Sequence, residues 1–156
     1  MPLSVIELVC VGKPRGALAE AARDYEKRLA RACRFSVVEL REESLQHLGS
    51  GEAMAREARR IEPRLTGAHV VALDRTGRAF SSEQLAVFVR EREEQPPQRT
   101  IFVIGGASGL DPAITELAAT RWSLGAATLP HQLARVVVGE QLYRAFTILR
   151  GEPYHR

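Results

Sequence analysis

The amino-acid sequence predicts an α/β protein: a mostly parallel sheet with helices on both of its faces. Two patterns carry that expectation. Apolar, β-branched runs such as Val70-Val71-Ala72-Leu73 and Ile101-Phe102-Val103-Ile104 have no polar alternation, as strands buried on both faces require. Between such runs lie segments whose apolar residues recur every three to four positions, so strand and helix alternate as in crossover-connected parallel sheets. At 156 residues the chain is one domain by size and can bury an ordinary core without disulfides or a structural metal.

The first strand is expected over residues 3–12 and is broken by Lys13-Pro14-Arg15-Gly16. Leu18, Ala22, Tyr25 and Leu29 mark one face of a helix over residues 17–32, and Phe35, Val37 and Val38 place a second strand at 34–41. The polar segment 42–51, punctuated by Gly49 and Gly51, is expected as a mobile loop over a site, followed by a charged helix at 52–65. Residues 68–73 read as a strand ending in an Asp74-Arg75-Thr76-Gly77 turn, with the glycine at positive φ. Ser81 and Gln84 have capping-box spacing and open a helix to about Glu94, before Pro96-Pro97. Residues 100–104 are a strand and 105–109 its glycine-rich loop. Asp111 then caps a helix that has Pro112 at its first position and ends near Thr120.

The stretch from Arg121 to His131 turns a strand into a helix. Trp122 to Leu124 is a short apolar strand, Gly125, Ala126 and Ala127 are small enough for backbone to approach a ligand, and Pro130 suits a first helical turn. Recognition through backbone hydrogen bonds is one reading of such a loop; small residues needed only for packing is the other. Ligands of parallel sheets bind beyond the carboxyl ends of the strands, so three loops are expected at one edge: 73–77, 105–109 and 125–130. The final helix, 130–150, carries Ala134, Val137, Val138, Leu142, Ala145, Ile148 and Leu149 on one stripe and Leu133, Val136, Tyr143 and Phe146 on an adjoining one. A terminal helix this apolar needs burial on two sides. A homodimer packed through it is therefore expected, with Gly139 allowing backbones to approach.

Charge narrows the partners. Residues 1–120 hold 17 basic and 17 acidic side chains, whereas 121–156 hold Arg121, Arg135, Arg144, Arg150 and Arg156 against Glu140 and Glu152. The formal charge of +3 thus lies wholly in the last 36 residues, where an anionic partner is expected, nucleic acid foremost, because arginine grips phosphate in bidentate fashion. Of the 22 basic residues 20 are Arg, so a purely compositional origin stays open. No apolar run reaches the roughly 20 residues of a membrane span, and Met1-Pro2-Leu3-Ser4 lacks the basic start of a secretory signal; no membrane and a cytoplasmic location are expected. Cys10 and Cys33 lie far apart in apolar segments and read as reduced core residues.

Spacing excludes several chemistries. Gly105-Gly106-Ala107-Ser108-Gly109 lacks the G-x-G-x-x-G pattern, and neither G-x-x-x-x-G-K-[ST] nor G-x-S-x-G occurs. His47, His69, His131 and His155 have no metal-ligand spacing to cysteines or acids, so no metal is expected. What remains is a pocket of glycines and small residues, suited to a flexible, mostly neutral ligand with an adenine face.

Six segments together carry a resemblance. They are Val70-Val71-Ala72-Leu73-Asp74, the run Phe102 to Leu110, the run Trp122 to His131, Arg135, Glu140-Gln141-Leu142-Tyr143-Arg144-Ala145, and Pro153-Tyr154-His155-Arg156. Across nearly its whole length the chain resembles the RlmH family of the SPOUT superfamily, the pseudouridine N3-methyltransferases of large-subunit (23S) ribosomal RNA. Gly125-Ala126 stands where relatives hold other small residues, a difference expected to alter cofactor fit rather than cofactor presence.

The resemblance implies a SPOUT-type α/β-knot: a single domain, residues 1–156, whose cofactor-binding region at about 68–156 holds a trefoil knot, an exception to the rule that chains do not thread their own loops. It implies S-adenosylmethionine as methyl donor, held by Leu73, Gly105, Leu124, Gly125, Ala126, Ala127, Thr128 and Leu129. It further implies a metal-free homodimer acting on rRNA in the assembled ribosome. Attack by a ring imino nitrogen needs a base, or a group that stabilises the anion formed. His131, Tyr154, His155 and Arg156 are the candidates for catalysis, and Arg135 and Arg144 for offsetting phosphate or base charge. Plainer roles compete: His131 as a helix cap, Glu140 with Arg144 as an i,i+4 helix pair, and Tyr143 as interface core. A chain end that docks rather than frays is expected at an active site, its own or the partner's. A SPOUT enzyme for another RNA nucleotide and a non-catalytic ribosome-associated factor are the alternatives.

Overall fold

In the computed structural model, which describes residues 4–155, five strands form one sheet in the order β2-β1-β4-β3-β5, and every pairing is parallel. The strands are β1 (Val5–Val11), β2 (Arg34–Leu40), β3 (His69–Ala79), β4 (Arg99–Ile104) and β5 (Thr120–Ser123). The helices are α1 (Gly16–Ala32), α2 (Ser50–Ile61), α3 (Ser82–Glu94), α4 (Pro112–Leu117) and α5 (His131–Leu149). Successive strand residues point to opposite faces, and the core divides accordingly. Ile6, Leu8, Cys10, Phe102 and Ile104 pack with Leu29 of α1, Leu85 and Val89 of α3, and Val138 and Leu142 of α5. Val9, Val11, Ile101 and Val103 pack with Ala58 and Ile61 of α2 and Ile114 of α4. The result is the expected helix–sheet–helix sandwich around a parallel sheet.

Local signals place most boundaries. Ser81 and Gln84 form the full capping box, Gln84 N donating to Ser81 Oγ at 3.0 Å and Ser81 N to Gln84 Oε1 at 2.9 Å. Asp111 Oδ1 accepts from Ala113 N at 2.9 Å, and Pro112 opens α4, which ends at Leu117 rather than near Thr120. Pro63 converts the end of the second helix into a short 3-10 turn, Glu62–Arg64. Pro130 is the residue before α5 rather than its first turn, with extended ψ of 142°.

Two expectations are corrected. Residues 74–77 are not a turn with glycine at positive φ: β3 runs on to Ala79, with a register shift against β5 between Leu73 and Arg78. Gly77 is required by crowding instead, since a Cβ there would lie 2.5 Å from the Arg121 carbonyl carbon. Gly139 does not face outward either. It packs on α1, where an added Cβ would sit 3.4 Å from Tyr25 Cβ. α5 itself lies against both α1 and α3, so its inner stripe is core, while Leu133, Val136, Val137 and Tyr143 stay half-buried on its outer side. Cys10 and Cys33 are free and buried as expected, and burial pushes both thiols up to about 12.

Candidate active site

Three segments converge at the carboxyl edge of the sheet: the middle of β3 around Leu73, the loop after β4 and the loop between β5 and α5. They enclose a cavity of about 750 Å³, a size suited to a cofactor-sized ligand. Of the residues expected to hold a ligand, Leu73, Gly105, Leu124, Gly125, Ala127, Thr128 and Leu129 line it, as does His131; Ala126 is in the loop but not in the lining. Gly105 cannot carry a side chain, because its Cβ would lie 2.5 Å from the Gly109 carbonyl carbon. Gly125, at φ +127°, takes a backbone conformation that L side chains rarely adopt. Gly125 N donates to Ser123 Oγ at 3.1 Å, and Arg75 Nη1 donates to Thr128 Oγ1 at 2.9 Å, tying the outer part of β3 to the last loop.

His131 begins α5, and its side chain is only 18% exposed. Its Nε2 is buried, has no hydrogen-bond partner among the described residues, and lies 3.5 Å from Glu42 Oε1. The same Glu42 oxygen accepts from Ala107 N at 3.1 Å. Glu43, beside it, donates its backbone N–H to the buried carboxylate of Glu57 at 3.0 Å and pairs through its side chain with Arg60. Burial raises the Glu57 carboxyl above its ordinary range, whereas the Arg60 hydrogen bond lowers that of Glu43. The first two residues of the 42–51 segment are thus fastened to the glycine loop and to α2, which corrects the expectation that the whole segment is mobile.

A family model described as "Predicted SPOUT methyltransferase" matches residues 5–155. The chain belongs to the SPOUT methyltransferase family. Curated relatives agree in length as well as sequence: "Ribosomal RNA large subunit methyltransferase H" of Rubrobacter xylanophilus is 51% identical, covering 95% of this chain and 96% of the relative. The protein of the same name from Gemmatimonas aurantiaca is 47% identical over 97% and 99%. Among solved structures, a probable methyltransferase from Bordetella pertussis superposes with a TM-score of 0.55 at 14% identity, covering 92% of this chain and 96% of that one. At that identity the likeness concerns the fold alone.

Within this SPOUT chain the remaining candidates fall elsewhere. Arg135 is buried among carboxylates: it is 6% exposed, with Nε and Nη2 donating to Glu26 at 2.8 and 3.0 Å and Nη1 to Glu39 at 2.5 Å. Burial disfavours its charge, and the two carboxylates more than restore it. Arg144 pairs with Glu140 at 2.6 Å and lies over the Tyr154 ring, 5.1 Å from its centroid. Tyr154 is not in the cavity lining; its hydroxyl donates to Glu140 Oε1 at 3.3 Å and its ring packs edge-on to Tyr143. Arg156 and the His155 side chain lie outside the described residues. His69 is fixed between Arg92 and Thr120, each 2.9 Å away, and burial lowers its pKa, so it is a neutral structural residue. Among the described residues no His, Cys, Asp and Glu side chains group as a metal site, and no helix is long and apolar enough to cross a membrane. Glu42 and Glu57 are the site residues the sequence reading missed. Both sit in polar, charged segments, and only the fold carries them to the Gly106 backbone.

Proposed function

We propose that the chain is an S-adenosylmethionine-dependent methyltransferase acting on N3 of a pseudouridine in large-subunit (23S) ribosomal RNA, in the cytoplasm, on the assembled ribosome and as a metal-free homodimer. The observation that carries the reading is the small-residue cavity at the sheet edge with His131 in its wall. The names of the full-length relatives support the rRNA substrate.

The cavity fits this cofactor. Leu73, Trp122, Leu124 and Leu129 offer apolar walls for an adenine face, and Gly105, Gly125 and Ala127 are small enough for the ligand to approach the backbone closely. When bound, the cofactor would supply the methyl group from its sulfonium for in-line transfer to N3. The chain's own task is to hold both reactants in line, exclude water and take the N3 proton. His131 takes that proton at Nδ1, because Nε2 is turned inward to Glu42. Tyr154 is a donor rather than a base, since burial and its neighbours Tyr25 and Glu140 keep its hydroxyl protonated.

The dimer forms on the outer side of α5, where Leu133, Val136, Val137 and Tyr143 are half-buried in one chain, and the segment 154–156 serves the partner's cavity. Arg144 contributes to the RNA contact from that same face. A trefoil knot in residues 68–156 accounts for three separate segments closing on one cavity. The test is incubation with labelled S-adenosylmethionine and unmethylated ribosomes or free rRNA, then mapping of the labelled nucleotide. Label on a different nucleotide overturns the substrate; absence of cofactor binding by calorimetry, with and without ribosomes, makes the chain a non-catalytic factor.

A further inference from the structure

We infer that Glu42 is a positioning residue that serves the transfer twice, by holding His131 in the tautomer that accepts the N3 proton and by fixing the glycine loop through Ala107. The inference deepens the reading above and rests on its assignment of His131 as the base.

The geometry is specific to one carboxylate oxygen. Glu42 Oε1 lies 3.1 Å from Ala107 N and 3.5 Å from His131 Nε2. Two glycines make the approach possible. A Cβ on Gly12 would lie 3.0 Å from Glu42 Oε2 and 3.3 Å from His131 Nε2, and one on Gly106 would lie 3.2 Å from Glu42 Oε1. The backbone next to Glu42 is anchored: Glu43 N donates to Glu57 at 3.0 Å and the Glu43 side chain pairs with Arg60. The end of β1, the loop after β4 and the first residue of α5 therefore meet at this carboxylate.

The chemistry follows from the acceptor-only character of an ionised carboxylate. Nε2 is buried and faces Glu42 Oε1 at 3.5 Å, with no hydrogen-bond partner among the described residues, so a proton there is stabilised by the facing anion, whereas a lone pair there would meet a negative charge. That leaves Nδ1 as the basic nitrogen. At 3.5 Å the contact is loose for a neutral pair and within ion-pair reach, so it strengthens when the ring becomes cationic. The balance is simple: one proton moves from pseudouridine N3 to His131 Nδ1, and the imidazolium formed is held against Glu42 until the proton leaves to solvent.

The test uses the full chain with labelled S-adenosylmethionine and unmethylated ribosomes. Glu42→Gln keeps an oxygen for Ala107 N and removes the charge. It should leave the calorimetric Kd for S-adenosylmethionine and the KM for ribosomes within about twofold while kcat falls about tenfold to a hundredfold, as for loss of a charged hydrogen bond. In a His131→Ala background the same change should cost nothing further. Glu42→Ala should in addition weaken cofactor binding, and should shift the imidazole 15N signals of His131 away from the Nε2–H pattern. Wild-type kcat in Glu42→Gln with a defective His131→Ala overturns the inference and leaves the base assignment standing. Wild-type kcat in His131→Ala overturns both. A full multiplicative loss in the double variant, or unchanged 15N signals, overturns the link between the two residues.

Discussion

Arg135 of α5 and Glu26 of α1 are joined by two hydrogen bonds, Nε to Oε2 at 2.8 Å and Nη2 to Oε1 at 3.0 Å, while the third arm of the guanidinium reaches Glu39 on β2. One side chain thus ties the terminal helix to the first helix and to an edge strand, one turn beyond His131. The first turn of α5 forms part of the cavity wall, so this buried cluster also sets where that wall stands.

Removing the guanidinium leaves two carboxylates facing a void. Arg135→Ala should lower the unfolding free energy by about 3–5 kcal/mol, the cost of breaking a buried pair, read from the midpoint of urea denaturation. Arg135→Lys should recover only part of it, because an ammonium cannot reproduce the fork. A wild-type midpoint for Arg135→Ala would mean that the cluster contributes nothing.

Cys10 and Cys33 are buried with thiols raised to about 12, so almost no thiolate exists at pH 8. Neither should react with a disulfide reagent in the native protein at that pH, and both should react promptly in denaturant. Rapid labelling of the native chain would contradict the placement of both residues.

The pattern of the chain made the layers legible. Continuous apolar strands placed the sheet, the Ser81–Gln84 capping box placed α3, and the small residues from Gly125 to Ala127 marked the ligand edge. What stayed hidden depends on contacts distant in sequence. Arg135 looks like any basic residue of a basic tail until α1 and β2 bring Glu26 and Glu39 to it. Glu42 lies 89 positions from His131, with nothing in either neighbourhood to announce the pairing. Gly77 read as a turn because its neighbours are Asp, Arg and Thr, whereas its requirement comes from the Arg121 backbone across the sheet.

Glu57 is buried beside Glu42 and Glu43, and its carboxyl is raised mainly by desolvation. A raised folded-state pKa means the folded protein binds the proton more tightly than the unfolded chain. Stability from this group is present below its ordinary carboxylate range and is lost as pH rises through the raised value. Glu57→Gln keeps an acceptor for Glu43 N and removes the titration. The variant should be more stable than the parent at pH 7.5, with the advantage shrinking as pH is lowered through that window. Parallel stability curves for the two proteins from pH 4 to pH 8 would reject this account.

Gly105→Ala would drive a methyl group to 2.5 Å from the Gly109 carbonyl carbon, so the loop after β4 must open. Calorimetry should show loss of S-adenosylmethionine binding by at least about tenfold, corresponding to some 1.4 kcal/mol, with circular dichroism little changed. Gly77→Ala meets the Arg121 backbone at the same distance but away from that loop, and should lower thermal stability more than it lowers cofactor affinity.

Tyr154 packs at Glu140, nine residues along α5 from His131, a separation of roughly 13 Å at 1.5 Å per helical residue. In its own chain it is absent from the cavity lining, and it sits beside the outer, half-buried side of α5. If the chain end serves the partner's cavity across a two-fold axis, damage to one chain's tail and to the other chain's cavity can be complemented. A chain truncated after Pro153 and a full-length Gly105→Ala chain should each be inactive alone on ribosomes. Mixed and refolded together in equal amounts, they should recover roughly a quarter of wild-type activity, because half of randomly paired dimers are mixed and each mixed dimer holds one intact cavity facing one intact tail. A tail acting within its own chain predicts no recovery, since the intact tail then serves only the damaged cavity.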